Sequence, residues 1–403
     1  MSRHALALVV AVLLAAACRP SAPSSERSQS PQEDILPEPA ISFAPRTYVA
    51  YRAERPIRVD GRLDEVAWQA APWTEDFTDI EGPSKPAPRF RTRAKLLWDS
   101  VNLYIAAELE EPDVWGTITR RDAVIFHDND FEVFIDPDGD THQYYELEVN
   151  ALGTAWDLFL VKPYRDGGPA INGWDIAGLE VGTSVDGTLN RPGDTDRGWT
   201  VELVLPWAAL REAAHRDAPP REGDRWRVNF SRVEWRTRVE PDTRGGRREQ
   251  GTRYVKLTDS TTGRPLPEDN WVWSPQGVVN MHYPEMWGFV RFADRPAGLG
   301  AASSGALVPG AAAAPGGDSV ALGPEEAAKW LLRLVYYREQ AFHARHGAHT
   351  ASLAQLSLLA PPVPGQYWPP AIAVTPHGYE ASLPLPDSAG RRRLVITNEG
   401  AVR

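Results

Sequence analysis

Only one cysteine, Cys18, occurs in the 403 residues. A single thiol excludes an internal disulfide framework and any zinc site built on cysteine. Lysine is scarce too, at 5 of the 43 basic residues, and acidic residues outnumber basic ones 54 to 43, for a net charge of −11. No net cationic surface is offered to phosphates, which argues against a nucleic-acid binder. The apolar run Ala5–Ala17 has 13 residues, too few to cross a bilayer. There is no G-x-S-x-G, no H-E-x-x-H and no phosphate loop, so no catalytic motif marks an enzyme. What the chain has in quantity is tryptophan and proline, 15 and 36 residues. With 42% hydrophobic and 24% charged residues, its length suits one or two soluble domains with a proper core rather than a disordered or multi-pass chain.

The amino terminus, MSRHALALVVAVLLAAAC, sets Arg3 before the apolar run and ends in Ala15-Ala16-Ala17-Cys18. The run fits the core of a secretory signal. The ending resembles a bacterial lipobox, with Leu14 one place earlier than the pattern prefers. The resemblance implies cleavage before Cys18 and lipidation of its thiol, each buried methylene contributing about 0.8 kcal/mol to membrane attachment. Arg19 after the cysteine implies export to the outer membrane. The expectation is a lipid-anchored protein of the cell envelope, on the periplasmic or surface face.

Composition divides the rest of the chain. Residues 19–45, rich in Pro, Ser and charge, read as a disordered tether, and 295–322, rich in Ala, Gly and Pro, as a linker. They isolate a block at 46–294, holding 13 of the 15 Trp, and a small one at 323–403. The larger block shows short strands between polar turns: 94–98, 103–108, 131–135, 144–150, 155–161, 179–185, 199–205, 226–233 and 289–292. This pattern predicts a mainly β fold, a sandwich or barrel. Helices are expected at 63–70, with Val66 and Trp68 inward, and at 207–215.

Within that block, Asp60-Gly61-Arg-Leu-Asp64-Glu-Val-Ala-Trp68, Ala94–Tyr104, Asp128-Asn-Asp130-Phe-Glu132-Val-Phe-Ile-Asp136, Tyr144–Asn150, Gly198–Pro206, Trp226–Arg232 and Trp287–Phe292 occur in order. As an ordered set they resemble the family 9 carbohydrate-binding modules and their DOMON-like relatives. The resemblance implies an antiparallel β-sandwich that binds the ends of glucans, xylans or related sugars; some members also hold structural calcium. Sugar rings stack their C–H faces on aromatic side chains and need polar partners for their hydroxyls. Glu132 and Asn150 match polar ligand-binding positions of the family. Its two clamping Trp fall on His127 and Met281, and its Arg falls on Glu148.

Further candidate ligand-binding residues are Arg232, His282 and the loop tryptophans Trp235, Trp271 and Trp273, with Trp115 and Trp174 beside them; 270–277, running on to 281–285, is the candidate recognition loop. Trp68, Trp98, Trp199, Trp226 and Trp287 lie in element-forming motifs and are assigned to the core. Asp136, Asp138 and Asp140 alternate as calcium ligands can, but lack the EF-hand glycine and glutamate positions, so a hairpin turn is the better reading. A second reading is a b-type haem held by His127 with Met281 or His282; a third is a structural envelope protein that binds a protein partner.

In the small block, Ala327, Leu331, Leu334, Val335 and Phe342 recur at helical spacing, predicting a helix over 324–345 that starts at Pro324 and ends at Gly347. A short second helix is expected at 352–356, and a β-meander over 372–375, 379–383 and 393–397. Tyr337, Gln340, Gly347 and Ser352-Leu353 weakly resemble a type IV pilin-like headpiece; docking or packing is the expected role. Together these features point to non-catalytic carbohydrate binding at the bacterial envelope, linked to saccharide capture or catabolism, without a required cofactor.

Overall fold

The computed structural model describes residues 36–55, 57–214, 218–242, 251–297, 323–360, 368–385 and 392–403. Cys18 and most of the Ala/Gly-rich linker lie outside the described residues.

Fifteen strands precede the long helix. In chain order these are β1 (Thr47–Arg52), β2 (Thr78–Asp79), β3 (Thr92–Trp98), β4 (Asn102–Glu110), β5 (Asp130–Asp136), β6 (Tyr144–Asn150), β7 (Ala155–Leu160) and β8 (Ala170–Ile171). They continue with β9 (Glu180–Asp186), β10 (Gly198–Pro206), β11 (Arg225–Glu234), β12 (Thr237–Pro241), β13 (Thr252–Lys256), β14 (Asp269–Val272) and β15 (Gly288–Pro296). All but β12 and β13 join one 13-stranded sheet, ordered β8-β7-β6-β5-β11-β15-β1-β3-β4-β10-β9, with β14 attached to β11 and β2 to β14.

The sheet folds over on itself. Phe131, Val133, Tyr145 and Leu147 from one half share a core with Leu96, Ile105, Val201 and Leu203 from the other. The two halves are therefore the leaves of a β-sandwich, as the sequence predicts. One departure stands out: β1 runs parallel to both β15 and β3, so the sheet is mixed rather than purely antiparallel. Strand alternation explains the core, because odd positions of β5 enter it while Asp130, Glu132 and Phe134 face the other way.

The first helix, α1 (Val66–Ala70), is shorter than expected. It buries Trp68 and leaves Val66 81% exposed, which corrects the expectation that both point inward. A five-residue helix shows the sheet only one narrow stripe, and Trp68 fills it. Residues 207–213 form successive turns instead of a helix, as do 353–357.

The second helix, α2 (Pro324–His346), runs as predicted and ends at Gly347 with φ +68°, the left-handed cap that glycine takes without penalty. Behind it lies the meander β16 (Ala371–Thr375), β17 (Gly378–Pro384) and β18 (Arg393–Thr397). Leu331, Leu332, Val335 and Leu383 pack against Val278, Tyr283 and Met286 of the β block. Leu36, Ile41 and Phe43 join that cluster, so the last ten residues of the expected tether are packed structure. Their apolar side chains stand among prolines and alanines and continue a Pro/Ser-rich stretch, so they escape a compositional reading.

Candidate functional site

The outward face of β5, β6 and β7 forms the floor of a cleft of about 270 Å³. Register determines which residues meet there. Glu132 lies opposite Glu148, Glu146 opposite Phe134, and Trp156 of β7 opposite Glu148. All five line the cleft. Asn270 adds an amide from β14, Val279, Asn280, Met281 and His282 build one wall, and Tyr164 stands at the rim.

The acidic side chains dominate the electrostatics. Glu132, Glu146 and Glu148 are buried, and Asp130 beside them is fully buried. Oxygens of Asp130, Glu132 and Glu148 lie within 4.8 Å of one another. Glu148 accepts a hydrogen bond from the Phe126 N–H at 2.9 Å, whereas Oε2 of Glu132 and of Glu146 have no partner. Burial pushes the Glu132 carboxyl up to about 7, and burial together with the neighbouring acids raises Glu146 and Glu148 well above the usual carboxylate range. Burial and the Arg165 guanidinium drive the His282 imidazole down to about 3, so it stands neutral. Its Nδ1 lies 2.8 Å from the Tyr144 hydroxyl, and Tyr164 packs edge-on against its ring at 4.5 Å.

Of the residues expected to bind ligand, Glu132, Glu148, Met281 and His282 are brought together here. The others are not. Asn150 is fully buried, bonding to Asp128, to the Ile118 carbonyl and to the turn amides of Leu152 and Thr154, so it braces a loop. Arg232 is on the core side of β11 and ion-pairs with Glu111 and Glu234, both at 2.8 Å. Trp271 and Trp273 alternate with Asn270 and Val272, and both turn into the core rather than forming a recognition loop. Trp235 packs with Trp115, and its indole N–H donates to the Phe126 carbonyl at 2.8 Å. Trp174 packs on Tyr145 and Phe159. His127 is exposed on a short 3-10 turn, outside the lining of the cleft.

The residues missed by sequence reasoning are Trp156, Tyr164 and Glu268, whereas Glu146 follows from sharing a strand face with Glu148. The four-residue turn between β6 and β7 fixes Trp156 beside Glu148, so this neighbour could have been found by counting back through the hairpin.

Neither inorganic candidate fits its residues. Both oxygens of Asp136 accept turn amides, from Gly139 at 2.9 Å and Thr141 at 3.0 Å, while Asp138 and Asp140 each accept one more. The Lys329 ammonium lies 3.2 Å from the Asp138 and Gly139 carbonyls. These carboxylates are caps of their own turn, with a cation already on the loop's carbonyls. A haem needs two opposed axial side chains. His282 is held by Tyr144, Met281 is its chain neighbour on the same wall, and His127 lies outside, so no opposed pair is formed.

Residues 59–218, which contain this floor, match the family model for carbohydrate family 9 binding domain-like proteins. Over those residues the β block is similar to the family 9 carbohydrate-binding modules. Solved structures similar to this chain include a family 9 module from Caldicellulosiruptor kristjanssonii in complex with cellotriose, at 16% identity, covering 66% of this chain and 98% of that one, TM-score 0.38. A putative carbohydrate-binding protein from Bacteroides uniformis is 14% identical, covering 61% and 99%, TM-score 0.41. The same Caldicellulosiruptor module type in complex with glucose is 15% identical, covering 61% and 96%, TM-score 0.38. No curated protein matches this chain.

Proposed function

We propose that this protein binds saccharide in the cleft over β5, β6 and β7 without cleaving it. The observation that carries the reading is the convergence of Glu132, Glu146, Glu148 and Asn270 with the aromatic rings of Trp156 and Tyr164. Carboxylates and an amide take up hydroxyl hydrogens, and rings supply a face for C–H groups. The family match gives the reading independent support. Placement supports the non-catalytic reading: a glycosidase sets two carboxyls on either side of the scissile bond. Glu132 and Glu148 instead rise side by side from adjacent strands of one floor.

Cys18 would hold the module at the cell envelope as the lipidated first residue, where it would serve saccharide capture or catabolism; this rests on the lipobox-like sequence alone. Calorimetric titration with glucose, cello- and xylo-oligosaccharides is expected to show binding that Trp156→Ala and Glu132→Ala weaken. No heat with any sugar at millimolar concentration overturns the binding reading. Labelled fatty acid incorporated into the wild type and absent from Cys18→Ala is expected if the anchor is correct.

A further inference from the structure

We infer that the cleft selects saccharides bearing a protonated amine, an amino sugar whose ammonium group sits among Glu132, Glu146 and Glu148 while its ring lies along Trp156 and Tyr164; this deepens, and presupposes, the saccharide-binding reading. Among the described residues lining the cleft, four are glutamates, Glu132, Glu146, Glu148 and Glu268, and none is lysine or arginine. The His282 imidazole there is not available as a counter-charge, because burial and the Arg165 guanidinium keep it neutral; its Nδ1 faces the Tyr144 hydroxyl. Lys256 is the nearby cation to be weighed; its ammonium lies over the Trp235 ring at 3.2 Å, and its charge acts on Asp128, Glu268 and Asp130. It therefore compensates the Asp130 end of the acidic row.

Two of the remaining acids each keep a carboxyl oxygen without a donor. Glu132 and Glu146 are 4% and 6% exposed, and Oε2 of each has no hydrogen-bond partner. Glu132 also stands directly opposite Glu148, a pair that destabilises an antiparallel ladder whenever both are ionised without a cation between them. A neutral sugar could donate hydroxyls to these oxygens but would bring no counter-charge that lets the acids ionise together. An ammonium group brings three donors and the opposite charge into the same space. Trp156, cross-strand from Glu148, and Tyr164 at the rim add rings whose faces attract cations. The unpartnered indole N–H of Trp156 is free to donate to a ring hydroxyl.

The test titrates the full chain with glucosamine, N-acetylglucosamine and glucose, and with oligomers of each. Glucosamine is expected to bind about tenfold or more tightly than glucose, with acetylation of the amine removing the advantage. In Glu148→Gln and, separately, Glu132→Gln, each checked for an unchanged circular dichroism spectrum, the glucosamine-to-glucose affinity ratio is expected to collapse towards one. Equal binding of glucosamine and glucose overturns the inference and leaves saccharide binding standing. Absence of binding by every sugar overturns the underlying reading. Calcium chloride that binds through Glu148 and is not displaced by glucosamine assigns the acids to a metal ion and likewise overturns the inference.

Discussion

Glu202 shows how one side chain can set the entrance of a domain. Its Oε1 accepts the Trp68 indole N–H at 2.7 Å, and its Oε2 accepts the amides of Gly61 at 2.7 Å and Asp60 at 3.0 Å. The loop before α1 is thereby pinned onto β10. Gly61 is required there on two counts: its φ is +78°, and a Cβ would lie 2.3 Å from the backbone carbon of Thr183. Gly61→Ala is expected to destabilise the protein by about 1–3 kcal/mol, read as a lower midpoint in urea or heat. At the same scale, the five tryptophans assigned from the sequence to the core are all buried. Trp271 and Trp273 defeated the same reading, because the strand Asp269–Val272 is only four residues long and its turn-rich flanks read as a loop, while its alternation, continued to Trp273, sends both rings inward.

Among the elements, α2 and the 3-10 turn at Pro284–Met286 are joined through charge. Glu285 ion-pairs with Arg165 at 2.8 Å and accepts the Tyr337 hydroxyl, with Arg333 at 3.8 Å. Arg227 of β11 donates to the carbonyls of Glu285 and Trp287 and pairs with Glu326 of α2 at 3.0 Å. Removing one partner of such a buried set leaves the others uncompensated. Glu285→Ala is expected to cost about 3–5 kcal/mol, measured by denaturant titration, with a single transition because the two blocks share a hydrophobic cluster. The helix itself was legible to within a residue, from spacing, Pro324 and Gly347. Its partners were not, because long-range pairs such as Arg227–Glu326 leave no local pattern.

Across the whole molecule, stability should follow pH in a dome. Burial lifts Glu132 and Glu202 each to about 7 from an ordinary 4.5, so between these values the folded protein keeps protons that the unfolded chain has lost. Stability is then fully present below about 4.5 and falls as pH rises towards 7. Glu285 acts in the opposite sense: burial would raise it, but Arg165 and Arg333 prevail and hold it at about 2. Its contribution is present above about 4.5 and is lost as pH falls towards 2. The melting temperature is expected to peak near about pH 5, with Glu132→Gln flattening the alkaline limb. A melting temperature unchanged between about pH 5 and 8 would contradict this assignment of the buried acids.

The parallel placement of β1 between β15 and β3 also bears on how the chain acquires its structure. Thr47 pairs with Phe289 and Ala50 with Phe292, contacts separated by nearly the whole β block. Closing a loop of that length is slow, and contacts of such sequence separation reduce folding rates. The seam between the two leaves cannot close until Gly288–Pro296 has been synthesised, so a growing chain leaves the ribosome as an open sheet whose inner face stays uncovered. Such an intermediate exposes unpaired strand edges to aggregation and gives chaperones a defined window in which to act.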